Sequence, residues 1–239
     1  MSNEIIKKEE RKDIKSLLAN DDIQKRFNEI LGRRANQFMS SIISSVNTNK
    51  RLAECVPMTV IQAALQAAIL DLPIEQNFGF AYLIPYKNSK ANITECQFQM
   101  GYKGYIQLAL RTGLYKRLNV MDIREGELKS YNPLTEELDI DFIKDEKERL
   151  ATPVIGYAGH FSLLNGFEKN VFWSLDQLLA HGMKYSQEFK KFKKGMWVDQ
   201  QDDMCRKTVI KDMIKKWGIL SVEMQQPNMQ LLEAIQADQ

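Results

Sequence analysis

The stretch FAYLIPYKNSKANITECQFQMGYKGYIQLALRTG, residues 80–113, decides the fold. Its first part, FAYLIPY (80–86) and ANITECQFQM (91–100) with KNSK as the turn between them, reads with a period of two. That period of two predicts a pair of strands joined as a β-hairpin. The periodicity then changes. Over 102–112 the apolar residues fall at helical spacing, and Gly113 supplies a stop. Gly101 and Gly104 sit where strand passes into helix, interleaved with Tyr102, Lys103 and Tyr105. Glycines at such a junction mean that the backbone turns sharply or comes close to another group. No Asp or Glu occurs anywhere in residues 96–113.

On the N-terminal side the chain reads as helix. Residues 16–46 place Ile23, Phe27, Ile30 and Leu31, then Phe38, Ile42 and Ile43, at helical spacing, with Asn20 or Asp21 as the N-cap. Pro57 introduces a helix over 58–70 that is apolar or small almost all round, which makes it either central core or a subunit contact. On the C-terminal side, strands are expected near 117–125, 137–143, 153–164 and 167–173, with turns at NPLTEE and NGFEKN. Ser174 then caps a helix over 175–183, a basic loop runs over 184–197, and a last long helix lies near 200–217. No βαβ unit repeats. The order predicts an α+β fold: N-terminal helices, a β-hairpin and a small antiparallel sheet packed with helices. The tail, 221–239, is glutamine-rich and expected to be poorly ordered.

Composition narrows the class. Apolar residues make up 44% and charged residues 27%, as in an ordinary globular protein. The longest apolar run, MTVIQAALQAAIL, is interrupted by glutamines and too short to cross a bilayer. The charged start, MSNEIIKKEERKD, lacks the apolar core of a signal peptide. Cys55, Cys96 and Cys205 are far apart and odd in number, which fits a reducing cytoplasm better than a disulfide framework. With His160 and His181 as the only histidines and no CxxC, a zinc site is not expected.

Catalytic signatures are missing as well. There is no GxxxxGK[ST], GxSxG or HExxH, and GYKGY lacks the third glycine and the βαβ setting of a dinucleotide fingerprint. Asp202, Asp203 and the carboxylates of 136–148 could hold Mg²⁺, which would make the chain a metal-dependent nuclease. Adjacent carboxylates at a helix start more often complement the helix dipole. The reading is therefore of a protein that is not an enzyme, with that nuclease and a structural self-assembling protein as the alternatives.

Charge distribution points to a polyanion. Residues 184–217 carry ten Lys or Arg against five Asp or Glu, and residues 122–149 carry ten acidic against five basic. Such segments either build an electropositive face or cancel in space. In the last helix, Val209, Ile210, Met213, Ile214 and Trp217 form an apolar stripe. Lys207, Lys211 and Lys215 fall four apart on another face, with Arg206 and Lys216 beside them. Lysines so spaced repel by about 0.2–0.5 kcal/mol per pair, and a polyanion would relieve this while releasing counterions. Asp203 and Asp212 could equally neutralise a solvent-facing stripe. In the helix after the hairpin, Lys103, Gln107 and Arg111 share a face, Lys116 and Arg117 follow, and Tyr102 and Tyr105 could stack on bases. The blander reading makes Tyr105, Ile106, Ala109 and Leu110 core. The third basic element is 184–197, where Lys190 and Lys191 are mixed with Tyr185, Phe189, Phe192 and Trp197.

Four segments in order, LDLPIEQNFGFAYLIPY, CQFQMGYKGYIQLALRTG, GYAGHFSLLNG and the Trp197 to MCRKTVIKDMIKKW region, resemble the RecT family of phage-type single-strand DNA annealing proteins. The resemblance covers about residues 55–220. It departs at Asp71, where the family often has glycine before Leu-x-Pro, and in ending soon after the last helix, where members commonly carry a further C-terminal region for partner binding. The resemblance implies ATP-independent annealing of complementary strands in homologous recombination by a homo-oligomer, a ring or helical filament. It further implies single-stranded DNA and annealed duplex as ligands, an exonuclease as partner, a host single-strand-binding protein beside it, no membrane, and the cytoplasm of a bacterial host. No cofactor is required on this reading, and Mg²⁺ has at most a modulating role. Residues 1–50 become a helical region for oligomer contacts, 51–220 the DNA-binding and annealing core, and 221–239 a tail. The matching motif positions are Gly101, Tyr102, Lys103, Gly104, Tyr105, Arg111, Lys207 and Thr208. Charge and placement extend the expected DNA contacts to Tyr102, Lys103, Tyr105, Arg111, Lys116, Arg117, Lys190, Lys191, Trp197, Arg206, Lys207, Lys211 and Lys215.

Overall fold

Local signals start the chain as expected. This computed structural model describes residues 13–221, so the charged N-terminus and all of the tail beyond Ser221 lie outside the described residues. A short helix, α1 (Ile14–Leu18), precedes α2 (Asp21–Leu31). Asn20 caps α2, its side-chain oxygen accepting the Asp22 and Ile23 N–H groups at 3.0 and 3.4 Å. A 3₁₀ turn leads into α3 (Ala35–Thr48), and Asn49 caps α4 (Lys50–Ala53) as Asn20 caps α2. Pro57 then opens α5 (Pro57–Ile69).

The described residues fall into two compact units, 13–104 and Tyr105–Ser221. In the first, α5 is core. Its Val60, Ile61, Ala63, Ala64, Ala67 and Ala68 are buried, and it packs against α1, α2 and the hairpin strands, while Met58 and Gln62 stay exposed. Ala63, Ala64, Ala67 and Ala68 let neighbouring elements approach the helix closely.

The hairpin is β1 (Ala81–Asn88) against β2 (Ile93–Met100), in register from Ala81↔Met100 to Asn88↔Ile93. Its turn lies at 89–92, two residues beyond the start of KNSK, with Asn92 left-handed at φ 53°. Ala81, Leu83, Cys96, Phe98 and Met100 face inward, and Ile84 and Tyr86 outward. The free edge of β2 is pinned by the chain entering α5: the Val56 N–H donates to Thr94 O at 2.8 Å, and the Cys96 N–H to Thr59 Oγ1 at 2.9 Å. Because Cys96 points its N–H away from β1, its partner Pro85 occupies a position that owes the ladder no N–H. Asp71, where the resembled family often has glycine, is left-handed at φ 51° and pairs with Arg34. Glycine is the residue such a backbone favours.

The boundary between the units falls inside α6 (Tyr102–Arg111). The second unit continues with β3 (Tyr115–Arg124), a ribbon of β4 (Leu128–Tyr131) and β5 (Leu138–Ile140), then α7 (Glu146–Ala151), β6 (Val154–Leu163) and β7 (Glu168–Ser174). The sheet runs β3-β6-β7, antiparallel throughout. Ser174 caps α8 (Leu175–Tyr185) with a full capping box to Gln177. The expected basic loop is instead two short helices, α9 (Gln187–Phe192) and α10 (Met196–Asp199). Ser186 caps α9, and Phe189 and Trp197 stack at 6.0 Å between ring centroids as core. Finally α11 (Gln201–Trp217) lies on all three strands of the sheet. Gly159 permits this, since a Cβ there would sit 2.9 Å from Val209 Cγ1. The fold is α+β, small antiparallel sheets packed with helices. Among the described residues no helix is long and apolar enough to cross a membrane.

Candidate nucleic-acid interface

The glycines of GYKGY have an internal explanation. A Cβ on Gly101 would lie 2.1 Å from Gly79 O, and one on Gly104 2.3 Å from Phe80 O. What the chain brings close at the start of α6 is its own backbone at the foot of β1. The Gly101 N–H donates to Phe80 O and the Gly104 N–H to Gly101 O, both at 2.9 Å. Of the two readings of these glycines, a sharp turn or a close approach, the backbone shows a close approach to its own strand. Tyr102 is half-buried and Lys103 exposed. The Lys103 stem runs along the same turn, with Cδ 3.4 Å from where a Gly79 Cβ would be.

Of the remaining candidates, Tyr105 is fully buried and Trp197 is 6% exposed. Neither ring can stack on a base from there, and both are core residues. Arg111 is exposed near the end of α6. Lys116 and Arg117 are both exposed although consecutive on a strand. A bulge between Tyr115 and Arg117 breaks the alternation that would have turned one of them inward. Lys190 and Lys191 are exposed on α9, while Lys207, Lys211 and Lys215 are half-buried along α11. Thr208 is buried, its hydroxyl donating to Met204 O at 2.8 Å.

Arg206 is engaged by the protein itself. Its guanidinium donates to Asp122 Oδ1 at 2.7 Å, Asp202 Oδ2 at 2.8 Å and Val120 O at 2.8 Å, clamping α11 to β3. Asp122 also accepts from Arg124 at 2.8 Å and Arg149 at 3.2 Å. Glu127, fully buried, accepts from Arg149 Nε at 2.7 Å and from the Arg124 and Ile143 N–H groups at 2.8 and 3.2 Å. Burial alone would push both carboxyls up. For Asp122 the Arg124 hydrogen bond and the Arg149 charge reverse this, and for Glu127 the Arg149 hydrogen bond and two backbone N–H groups do, so both lie below the ordinary range. Part of the acidic segment 122–149 thus faces its own arginines, and Asp122 also faces Arg206 of the basic segment.

Asp202 is equally committed, with Oδ1 accepting from the Tyr157 hydroxyl at 2.9 Å and Oδ2 from Arg206. Among the described residues no group of three or more His, Cys, Asp or Glu is placed to hold a metal ion. His160 meets Asn170 Oδ1 at 2.8 Å, and His181 sits among Trp173, Tyr185 and Trp197, where burial lowers its pKa. Burial pushes the Cys96 thiol up to about 12 and the Cys205 thiol to about 11. Both are inert in the core.

The sequence reading missed Trp217. Placed by period in the apolar stripe of α11, it is 50% exposed. The ammonium of Lys169, itself paired with Glu136, lies 3.6 Å from the centre of its ring. The adjacent Gly218 was the available signal, because it ends the helix there.

A model of the RecT family matches residues 36–239. Over 213 residues, 89% of this chain, the sequence is 49% identical to uncharacterized protein YqaK of Bacillus subtilis (strain 168), spanning 69% of that protein. Over 183 residues, 73% of this chain, it is 28% identical to protein RecT of Escherichia coli (strain K12) and spans 62% of it.

Proposed function

The chain belongs to the RecT family, and from that premise we propose that it binds single-stranded DNA and anneals complementary strands in homologous recombination. The observation that carries this reading is the family match over 36–239, which includes every candidate contact. Pairing energy drives annealing, so the protein needs no nucleotide and only has to hold one strand open for the second. It works as a homo-oligomer, a ring or filament with residues 1–50 in its contacts. It acts in the cytoplasm of a bacterial host on strands exposed by an exonuclease, beside a host single-strand-binding protein. Mg²⁺ is not required and modulates binding.

The contacts are Lys103, Arg111, Lys116, Arg117, Lys190 and Lys191 at the surface, the stems and ammonium groups of Lys207, Lys211 and Lys215, and Tyr102. Tyr105, Trp197 and Arg206 leave the set because core packing or acidic partners already engage them. Lysines and arginines of this kind hold phosphates and read no sequence, so binding is sequence-tolerant and falls steeply with salt. The test is annealing of complementary oligonucleotides without nucleotide, followed by electron microscopy of the products. Failure to anneal without nucleotide, or strand cleavage with Mg²⁺ that is lost on changing Asp202 and Asp203, overturns it.

A further inference from the structure

Trp217 ends α11 with its indole half in water, at 50% exposure, whereas Trp197 is 6% exposed in the core. One face of the Trp217 ring is taken. Lys169 Nζ lies 3.6 Å from the ring centre, and Lys169 is itself 9% exposed and ion-paired with Glu136. An ammonium so placed is held by its carboxylate and by the negative face of the indole. The accessible half of the ring is therefore its opposite face and edge.

The backbone beside the ring is fixed as well. The Gly218 N–H donates to Ile214 O at 2.8 Å, and the Ile219 N–H to the Tyr115 hydroxyl at 2.8 Å. A Cβ on Gly218 would lie 2.6 Å from that hydroxyl, so the approach needs glycine. A buried ammonium beneath the ring, paired with the half-buried Glu136, and a pinned chain beside it orient an aromatic surface toward solvent. Covering Lys169 alone would not require that surface to be open.

We propose that the open face of Trp217 is a stacking platform for a base of single-stranded nucleic acid, with Lys169 and Glu136 as positioning residues that brace the ring from behind. This rests on the reading of the chain as a single-strand binder. Lys215 and Lys216, the latter paired with Asp212 at 2.8 Å, precede the ring in the last turn of α11, which puts basic side chains beside a π face for a base. A lone indole among lysines is unlike the apolar centre of a protein interface. Pre-fixing the ring lowers the ordering cost of each stack.

The test uses the full chain, an oligothymidylate and an abasic strand of the same length, read by tryptophan emission and by anisotropy. Oligothymidylate should quench wild-type emission, and Trp217→Phe should remove that quench while keeping most of the affinity. Trp217→Ala should weaken oligothymidylate binding by about 5-fold to 100-fold and leave abasic-strand binding unchanged. The pair Lys169→Met with Glu136→Gln should reduce both quench and affinity by a smaller factor, because the ring remains but swings. Equal affinity of Trp217→Ala and wild type for oligothymidylate overturns the proposal, as does equal loss for both strands or a change in self-association alone. If Trp217→Ala fails to fold, Trp217→Phe decides, and a quench that persists in it overturns the proposal. Wild-type protein that binds neither strand would end the single-strand reading and this inference together. Wild-type binding without a Trp217 effect ends only the inference.

Discussion

The two ends of α11 look alike as sequence and behave differently as structure. QDDMCRK opens the helix and IKKWG closes it, each a mix of charge and apolar side chains. At the first end Arg206 and Asp202 bind one another, Asp122 and Tyr157, and their charge is consumed in holding α11 to β3. At the other end Trp217 has run past its cover and stands half exposed on a braced Lys169. A charge counted in a sequence is a density. Whether it is available to a ligand depends on what the fold places opposite it.

The largest effect should come from the clamp region. Arg149→Ala leaves the fully buried Glu127 without its side-chain partner, while Asp122 keeps Arg124 and Arg206, and should cost about 3–5 kcal/mol, read as a lower urea midpoint. An unchanged midpoint would mean that the network adds nothing to stability, and the contrast between the two helix ends would fail. Trp197→Ala should cost a similar amount, about 3–5 kcal/mol, whereas Trp217→Ala should cost less, about 1–2 kcal/mol, because the indole is half exposed and only its contact with Lys169 is lost. Equal losses in the two tryptophan variants would show that exposure does not separate their roles.

Acid titration sharpens the same point. Asp122 and Glu127 have folded pKa values below their unfolded ones, so their stabilisation is complete above the unfolded carboxylate pKa, about 4. It is lost as pH falls through the lower folded values. Stability should therefore hold from neutral pH down to about 4 and then drop, and Arg149→Ala should flatten that drop. A fall that begins well above this range would assign the acid sensitivity to other groups.

A smaller effect separates clamp from contact. Arg206→Met should lose about 1–3 kcal/mol of stability with no change in the salt slope of DNA binding. Lys116→Ala should do the opposite, leaving the fold intact and lowering the slope by about one. A changed slope in Arg206→Met would return Arg206 to the contact set. The smallest change is Asp71→Gly. Relief of the left-handed backbone should nearly balance the lost Arg34 pair and the freer unfolded chain, within about 0.5 kcal/mol. A loss well beyond that in thermal unfolding would show that the Arg34 pair matters more than the backbone.

Much of the fold was legible because its signals are local. Asn20, Pro57 and Ser174 announce helix starts through hydrogen bonds or a φ angle that each supplies itself, and residues 80–113 switch period where strand becomes helix. The elements that escaped, β4, α7, α9 and α10, are short and have no stripe of their own. They exist because Arg149 reaches buried carboxylates and because Phe189 and Trp197 find a core. The candidate site divides in the same way. Exposed cations such as Lys103, Lys190 and Lys191 could be read from charge, and Lys116 and Arg117 owe their joint exposure to a bulge.

The amino-acid sequence by itself determined the class of fold, the hairpin that leads into α6 and the positions that share a face of α11. Only the tertiary structure decided that Trp197 is core and Trp217 is surface, and that Arg206 is a clamp. Periodicity reports which side chains point the same way, but the extent of the sheet beneath them is set by strands far away in the chain. That extent covers Val209 and Ile214 and leaves Trp217 open.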